Sequence, residues 1–150
     1  MTAESTSQDR ALEPDPNSLP NGFRFAGVAC GIKPSGRLDL SLVVCDQPST
    51  VAGVYTQNQV VAAPVVLCRD RTPRQTIRAV VTNSGNANAC TGDEGMVNAR
   101  AMSDQVAALL GCPSDDVLVM STGVIGQQLP MKQVNSGIIA AEQALGTEAG

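Results

Sequence analysis

The stretch Asp116-Val117-Leu118-Val119-Met120-Ser121-Thr122-Gly123-Val124-Ile125-Gly126 decides how the rest of the chain is read. Val117 to Met120 is a continuous apolar run with the length and composition of a buried strand. It gives way at once to hydroxyl and glycine residues. That puts polar groups at the strand's carboxyl end, where α/β-type folds commonly bind ligands. Thr122 carries a rotatable O–H donor, and Gly123 lets a substrate oxygen approach a backbone N–H. Two such donors suit an oxygen that gains negative charge. On this stretch alone a tight turn between a core strand and the next helix is the simpler account.

Working outward, Pro130 opens a helix whose apolar side is Val134, Ile138, Ile139 and Leu145, with Asn135-Ser136-Gly137 where another backbone packs closely. Before the strand, Thr91-x-x-Glu94 reads as a capping box. The helix it starts carries Val97, Met102, Val106, Leu109 and Leu110 and stops at Gly111 and Pro113. Between this helix and a buried strand at Ile77 to Thr82 lies Asn83-Ser84-Gly85-Asn86-Ala87-Asn88-Ala89-Cys90-Thr91-Gly92. Its asparagines are either an elaborate turn or a polar platform beside a ligand.

The first half is β-rich. Phe23, Phe25, Gly27 and Ala29 alternate with other residues, and Lys33-Pro34-Ser35-Gly36 turns the chain. Leu38, Leu40, Leu42 and Val44 then face a core, with Asp39 and Ser41 on the other side. Asp46 to Ser49 reads as a second turn into a strand at Val51 to Thr56, which completes an antiparallel meander. Pro64 argues for an extended element from Val65, and Arg69 to Gln75 for a solvated surface loop. The element order makes an α+β layered domain.

Composition narrows the function. Among 150 residues there are 14 acidic and 10 basic side chains, a formal charge of −4, with no block of either sign. That opposes nucleic-acid binding and a polybasic membrane surface. The longest apolar run, Val60 to Cys68, contains Pro64 and is half a membrane span, and no signal peptide is evident, so a cytoplasmic location is expected. The five cysteines are scattered and histidine is absent, so neither a Cys/His metal site nor a Ser–His or Cys–His pair is expected. Residues 1–21, with Pro14, Pro16 and Pro20, read as a mobile leader, and residues 22–150 as one domain.

Several segments, in order, carry a resemblance: Gly22-Phe23, Ala26-Gly27-Val28, Gly31-Ile32-Lys33, Val54-Tyr55-Thr56-x-Asn58, Ala62-Ala63-Pro64-Val65, Asn83 to Gly92 and Ser121 to Gly126. From about Gly22 onward the chain resembles the ornithine acetyltransferase family, the glutamate N-acetyltransferases and amino-acid acetyltransferases of arginine biosynthesis. The resemblance implies an α/β/β/α-type sandwich with an antiparallel-rich sheet, made as a precursor that cuts itself into α and β chains. It implies that acetyl moves from N-acetylornithine to glutamate through an acetyl-threonine on the β chain, with acetyl-coenzyme A as donor in some members and no resident cofactor. A threonine whose own α-amino group serves as base needs no histidine.

By the same resemblance Thr122 and Gly123 form the oxyanion hole, and this chain is the α-chain portion, inactive alone. The nucleophile and most substrate-binding residues are expected beyond Gly150, in hetero-oligomers of α and β chains. The rival readings are a self-cleaving aminopeptidase or amidohydrolase of related architecture, and a truncated interaction module.

Overall fold

The computed structural model describes residues 19–146. Most of the expected leader (residues 1–18) therefore lies outside the described residues. The elements are β1 (Phe23–Val28), β2 (Leu40–Val51), α1 (Ala63–Arg71), β3 (Arg74–Asn86), α2 (Gly92–Leu110), β4 (Val117–Val124) and α3 (Met131–Gln143), with a 3-10 turn at Ser114–Asp116 before β4. They build one four-stranded sheet in the order β1-β2-β3-β4. The first two pairings are antiparallel and β3–β4 is parallel, so β3, α2 and β4 form a βαβ unit. The expected mixed α+β fold, rich in antiparallel pairing, is the one observed.

Period-two alternation sorts the sheet into two faces. Leu40, Leu42 and Val44 of β2, Ala79 and Val81 of β3, and Val117 and Val119 of β4 are buried in one cluster with Met102 and Val106 of α2 and Val134 and Ile138 of α3. Each large member contributes about 1.5–3 kcal/mol by leaving water. The opposite face carries Phe25, Val43, Val80, Leu118 and Met120. Among the described residues it is covered near β4, where Cys68, Ile77 and Leu118 pack with Val51, Tyr55 and Val80. Met120 is 55% exposed there.

Several sequence expectations are corrected. Asp46 to Ser49 is no turn: β2 runs on through it to Val51, absorbing the irregularity as register shifts between Val44, Ser49 and Val51. Residues 52–56 are not a strand, and β3 is the meander's third member. Leu38 lies outside β2 and is 63% exposed. Pro64 starts a helix instead of blocking one, because a first-turn proline lacks only an N–H that has no helical acceptor. Arg71, expected in a surface loop, is the last residue of α1 and is buried.

That helix seals the free edge of β4. Arg71 Nη1 donates to the Val117 carbonyl at 2.6 Å, and the Cys68 thiol donates to the Val119 carbonyl at 3.1 Å. An edge strand's outward backbone groups are thereby satisfied by side chains. Arg71 also pairs with Asp115 at 3.4 Å, and Arg74 with Asp116 at 2.7 Å, which anchors the start of β4.

α2 begins and ends where expected and α3 begins where expected, with different details. Thr91 does not cap α2 with its side chain, since its hydroxyl donates to Asn88 Oδ1 instead. Val97 and Leu109 are 63% and 40% exposed, and Asn98, Ala99 and Ser103 share the buried side with Met102 and Val106. Gly111 adopts the left-handed cap, φ 66°. On α3, Ile139 is 43% exposed and Leu145 lies past the helix end. Gly137 is where another segment packs closely, through side chains and not the backbone that was expected. A Cβ there would stand 2.7 Å from Cys30 Cβ and Sγ and 3.2 Å from Leu40.

Gly137→Ala in the intact protein should therefore overpack the contact between α3 and the β1–β2 loop, at a cost of about 1–3 kcal/mol. A thermal melt should show a midpoint several degrees lower. An unchanged melt would mean that the contact is looser than described.

Candidate functional site

The βαβ topology brings the two unusual sequence stretches together. Because β3 and β4 are parallel, their carboxyl ends lie at the same end of the sheet. Asn83, Ser84 and Gly85 pair with Ser121, Thr122 and Gly123. Thr122 and Gly123 are both exposed. Thr122 shares its strand face with Leu118 and Met120, so its hydroxyl lies on the side of the sheet that the helices leave open. Thr82 and Ser84 of β3 and Ser41 of β2 are on the same side by register.

The backbone of β4 has its own alternation. Val117 and Val119 turn their carbonyls to α1, and Val124 turns its carbonyl to the Ala87 amide at 2.9 Å. By that alternation Ser121 and Gly123 present their backbone groups at the outer edge of β4, not toward β3. The contacts of Arg71 with Val117 and of Cys68 with Val119 make α1 antiparallel to β4. Its N-terminal end, free of acidic residues, therefore lies toward Thr122 and Gly123. The positive end of a helix dipole favours negative charge nearby.

Glycine at 123 has a further cause that patterning did not give. Its φ is 135°, and a Cβ would stand 2.5 Å from the Asn86 nitrogen and closer still to the Gly85 carbonyl. The backbones of β3 and β4 come together here with no room for a side chain.

The asparagines hold this end of the sheet together. Asn86 Nδ2 donates to the carbonyls of Gln127 and Gln128, both at 3.1 Å, and tethers the segment that follows Gly126. Its Oδ1 accepts from the Asn88 amide at 2.8 Å. Asn88 Nδ2 donates to the Gly95 carbonyl and Asn83 Nδ2 to the Asn86 carbonyl, both at 2.8 Å. Gln128 Nε2 donates to the Thr91 carbonyl at 2.9 Å, and the Gly126 amide to the Ala89 carbonyl at 2.8 Å. Of the two readings left open, these contacts favour the elaborate turn. Asn83 Oδ1 and Ser121 Oγ are buried without a partner, on register-paired residues just beneath the corner.

Asp39 was assigned to the outward side of its strand, yet it is 2% exposed. Its Oδ1 accepts from the Cys30 amide at 2.7 Å, and its Oδ2 from the amides of Gly31 at 3.1 Å and Lys33 at 2.9 Å. Burial pushes this carboxyl up, but the amides of Cys30 and Lys33 outweigh it and leave it below its ordinary value. Nothing in the alternation of β2 distinguishes such a residue from a solvated one.

Two clefts flank the corner. One of about 430 Å³ lies between residues 52–55, α1 and the open face, and Leu118, Met120 and Ser121 are among its lining. The other, about 200 Å³, is lined by Gly27, Leu38 to Ser41, Thr82 and Ser84. Among the described residues, no cluster of His, Cys, Asp or Glu has the grouping to hold a metal, and no helix is long and apolar enough to cross a membrane.

Comparison with known proteins places the chain. Residues 24–150 match the ArgJ family, and the chain belongs to that family. It is 62% identical, over 92% of its length, to the arginine biosynthesis bifunctional protein ArgJ of Rhodopirellula baltica, covering 34% of that protein. With the ArgJ of Geobacter sulfurreducens the identity is 54%, over 84% of this chain and 32% of the relative. The chain thus spans about a third of the length of these relatives. Its fold is similar to the ornithine acetyltransferase of Mycobacterium tuberculosis solved with ornithine. The TM-score there is 0.85 at 42% identity, covering 89% of this chain and 73% of that one. The arginine biosynthesis bifunctional protein ArgJ of Bacillus halodurans gives 0.75 at 40% identity, covering 79% and 62%.

The cysteines offer a test of the local electrostatics. Burial, and then the hydrogen bond and charge of Asp39, push the Cys30 thiol up to about 11. At pH 8 only about one Cys30 in a thousand is thiolate, and the fraction rises tenfold per pH unit until the pKa is reached. Iodoacetamide labelling read by peptide mass spectrometry should therefore leave Cys30 nearly unmodified at pH 8 and speed up steeply toward pH 10. Rapid labelling at pH 8 would contradict the burial of Cys30 and, with it, the contact with Asp39.

Proposed function

We propose that this chain is the N-terminal, α-chain portion of a glutamate N-acetyltransferase that moves acetyl from N-acetylornithine to glutamate. The observation that carries the reading is the exposed Thr122-Gly123 pair, at the end of a strand on the open side of the sheet, in a chain of the ArgJ family. A β chain of the same precursor supplies the nucleophilic threonine, whose α-amino group takes the hydroxyl proton. As that oxygen bonds to the acetyl carbon, the carbonyl oxygen becomes an oxyanion. Thr122 O–H and Gly123 N–H donate to it. Collapse expels the ornithine amine with a proton and leaves acetyl-threonine. The glutamate amine then attacks, releasing N-acetylglutamate and the free threonine.

The two-chain arrangement has support in the comparisons. The shared stretch fills 73% of the Mycobacterium tuberculosis crystal chain but 34% of the Rhodopirellula baltica sequence. A crystallised polypeptide that much shorter than a relative's full sequence is what cleavage of a precursor would give. The less covered part of the apolar face, with half-buried Phe25 and Val43 and exposed Met120, is the surface on which the β chain would close the sandwich. On this reading the enzyme works in the cytoplasm as a hetero-oligomer of α and β chains. It needs no resident cofactor and takes acetyl-coenzyme A, where that is used, as a substrate.

Thr122→Ala in the complete enzyme should lower kcat/KM for acetyl transfer by about 10²–10³, with little change in melting temperature because the side chain is exposed. Acetyl transfer would be followed as N-acetylglutamate formed from N-acetylornithine. Wild-type turnover would remove Thr122 from the mechanism, and acetate in place of N-acetylglutamate would point to a hydrolase.

A further inference from the structure

We infer that Asp39 is a positioning residue for the oxyanion corner, acting through the Cys30–Lys33 loop and Gly85; this rests on the function proposed above. The Asp39 carboxylate is buried and none of the ion pairs among the described residues involves it. Lys33, whose amide binds this carboxylate, directs its ammonium to the Leu38 carbonyl at 3.1 Å instead. A buried anion held by amides alone is costly unless several converge on it. Here the amides of Cys30, Gly31 and Lys33 do so, from within one short loop. Without the carboxylate those donors would lose their acceptors together, and the loop would lose its shape.

What the loop touches makes its shape matter. A Cβ on Gly85 would stand 3.0 Å from Ile32 Cγ2 and 3.1 Å from Lys33 Cγ, so the loop rests directly on that glycine. Gly85 is in turn the residue against which Gly123 closes. A second link uses the main chain: the Ser84 amide donates to the Asp39 carbonyl at 2.8 Å, and Ser84 is the register partner of Thr122. Asp39 therefore braces, through side chain and backbone alike, the two β3 residues that lie beside Thr122 and Gly123. From the other side, the Cys30 end of the loop is seated against Gly137 of α3. A sub-ångström shift of the loop passes to Gly85, because neither glycine has a side chain to absorb it.

The test uses the intact, self-processed enzyme, mixed rapidly with N-acetylornithine without glutamate. Acetyl-enzyme is counted by mass spectrometry of the quenched protein. The burst amplitude reports the fraction of competent sites, and the burst rate constant reports the acetylation step at each of them. For Asp39→Asn we expect a rate constant lower by about 10- to 100-fold, with the KM for N-acetylornithine within about threefold of wild type. Ile32→Ala removes the nearer of the loop's two side-chain contacts on Gly85 but keeps the loop's hydrogen bonds. It should slow the same constant by several fold, and it decides the matter if Asp39→Asn yields no processed enzyme.

A purely structural role would reduce amplitude and melting temperature and leave the rate constant at wild type, and that result overturns the proposal. Thr122→Ala in the same assay separates the two levels. If it slows acetylation while Asp39→Asn and Ile32→Ala do not, only the bracing role fails. If Thr122→Ala is also unaffected, the oxyanion reading itself is wrong.

Discussion

Where β3 and β4 end, two glycine backbones lie against each other, and most of what is distinctive in this chain follows from that approach. Gly123 sits at a φ of 135° with Gly85 and Asn86 where its side chain would be. Such closeness leaves backbone amides and carbonyls that a regular ladder would have paired, and each must find another partner. Asn83, Asn86 and Asn88 supply many of them, to neighbouring carbonyls and amides from Asn86 to Gln128. The asparagine-rich stretch and the Ser-Thr-Gly stretch are thus two halves of one construction. A side chain at Gly123 would force the strand ends apart, and one at Gly85 would press on Ile32 and Lys33.

The two faces of the sheet differ in kind. One is dry, closed by α2 and α3 over Leu42, Val44, Val81, Val117 and Val119, and it holds the strands in register. The other keeps phenylalanine, valine and methionine in reach of solvent, with a fringe of hydroxyls from Ser41, Thr82, Ser84 and Thr122 at the end where β3 and β4 finish. On the reading proposed above, this is the face that the β chain would cover. The closed layer carries the corner, and the open side leaves room for the reacting group of the proposed mechanism.

Much of this was readable in the residues. Val117 to Val119 announced a buried strand, Gly111 and Pro113 the end of a helix, and the Ser121–Gly126 string a polar strand end. The misreadings share a cause, which is tertiary context overriding local preference. Pro64 looks like a helix breaker until its place at a helix start is known. The Asp46–Ser49 segment has turn composition, but its neighbours on β3 draw it into the sheet with a shift of register. Thr91 has the residue type and spacing of a cap, yet its hydroxyl donates to Asn88 Oδ1 and accepts from no helix amide. Asp39 was illegible for a stronger reason. Its partners are backbone amides, and a sequence does not mark which amides will lack acceptors.

The central claim is that Thr122 and Gly123 hold a carbonyl oxygen while it carries charge. It is tested most directly by a crystal structure of the complete enzyme bound to a phosphonate analogue of the tetrahedral acetyl intermediate. The account predicts one phosphonate oxygen within about 3.1 Å of both Thr122 Oγ1 and the Gly123 nitrogen, on the open side of the sheet. A phosphonate oxygen held by other donors, with Thr122 and Gly123 out of hydrogen-bond reach, would contradict it.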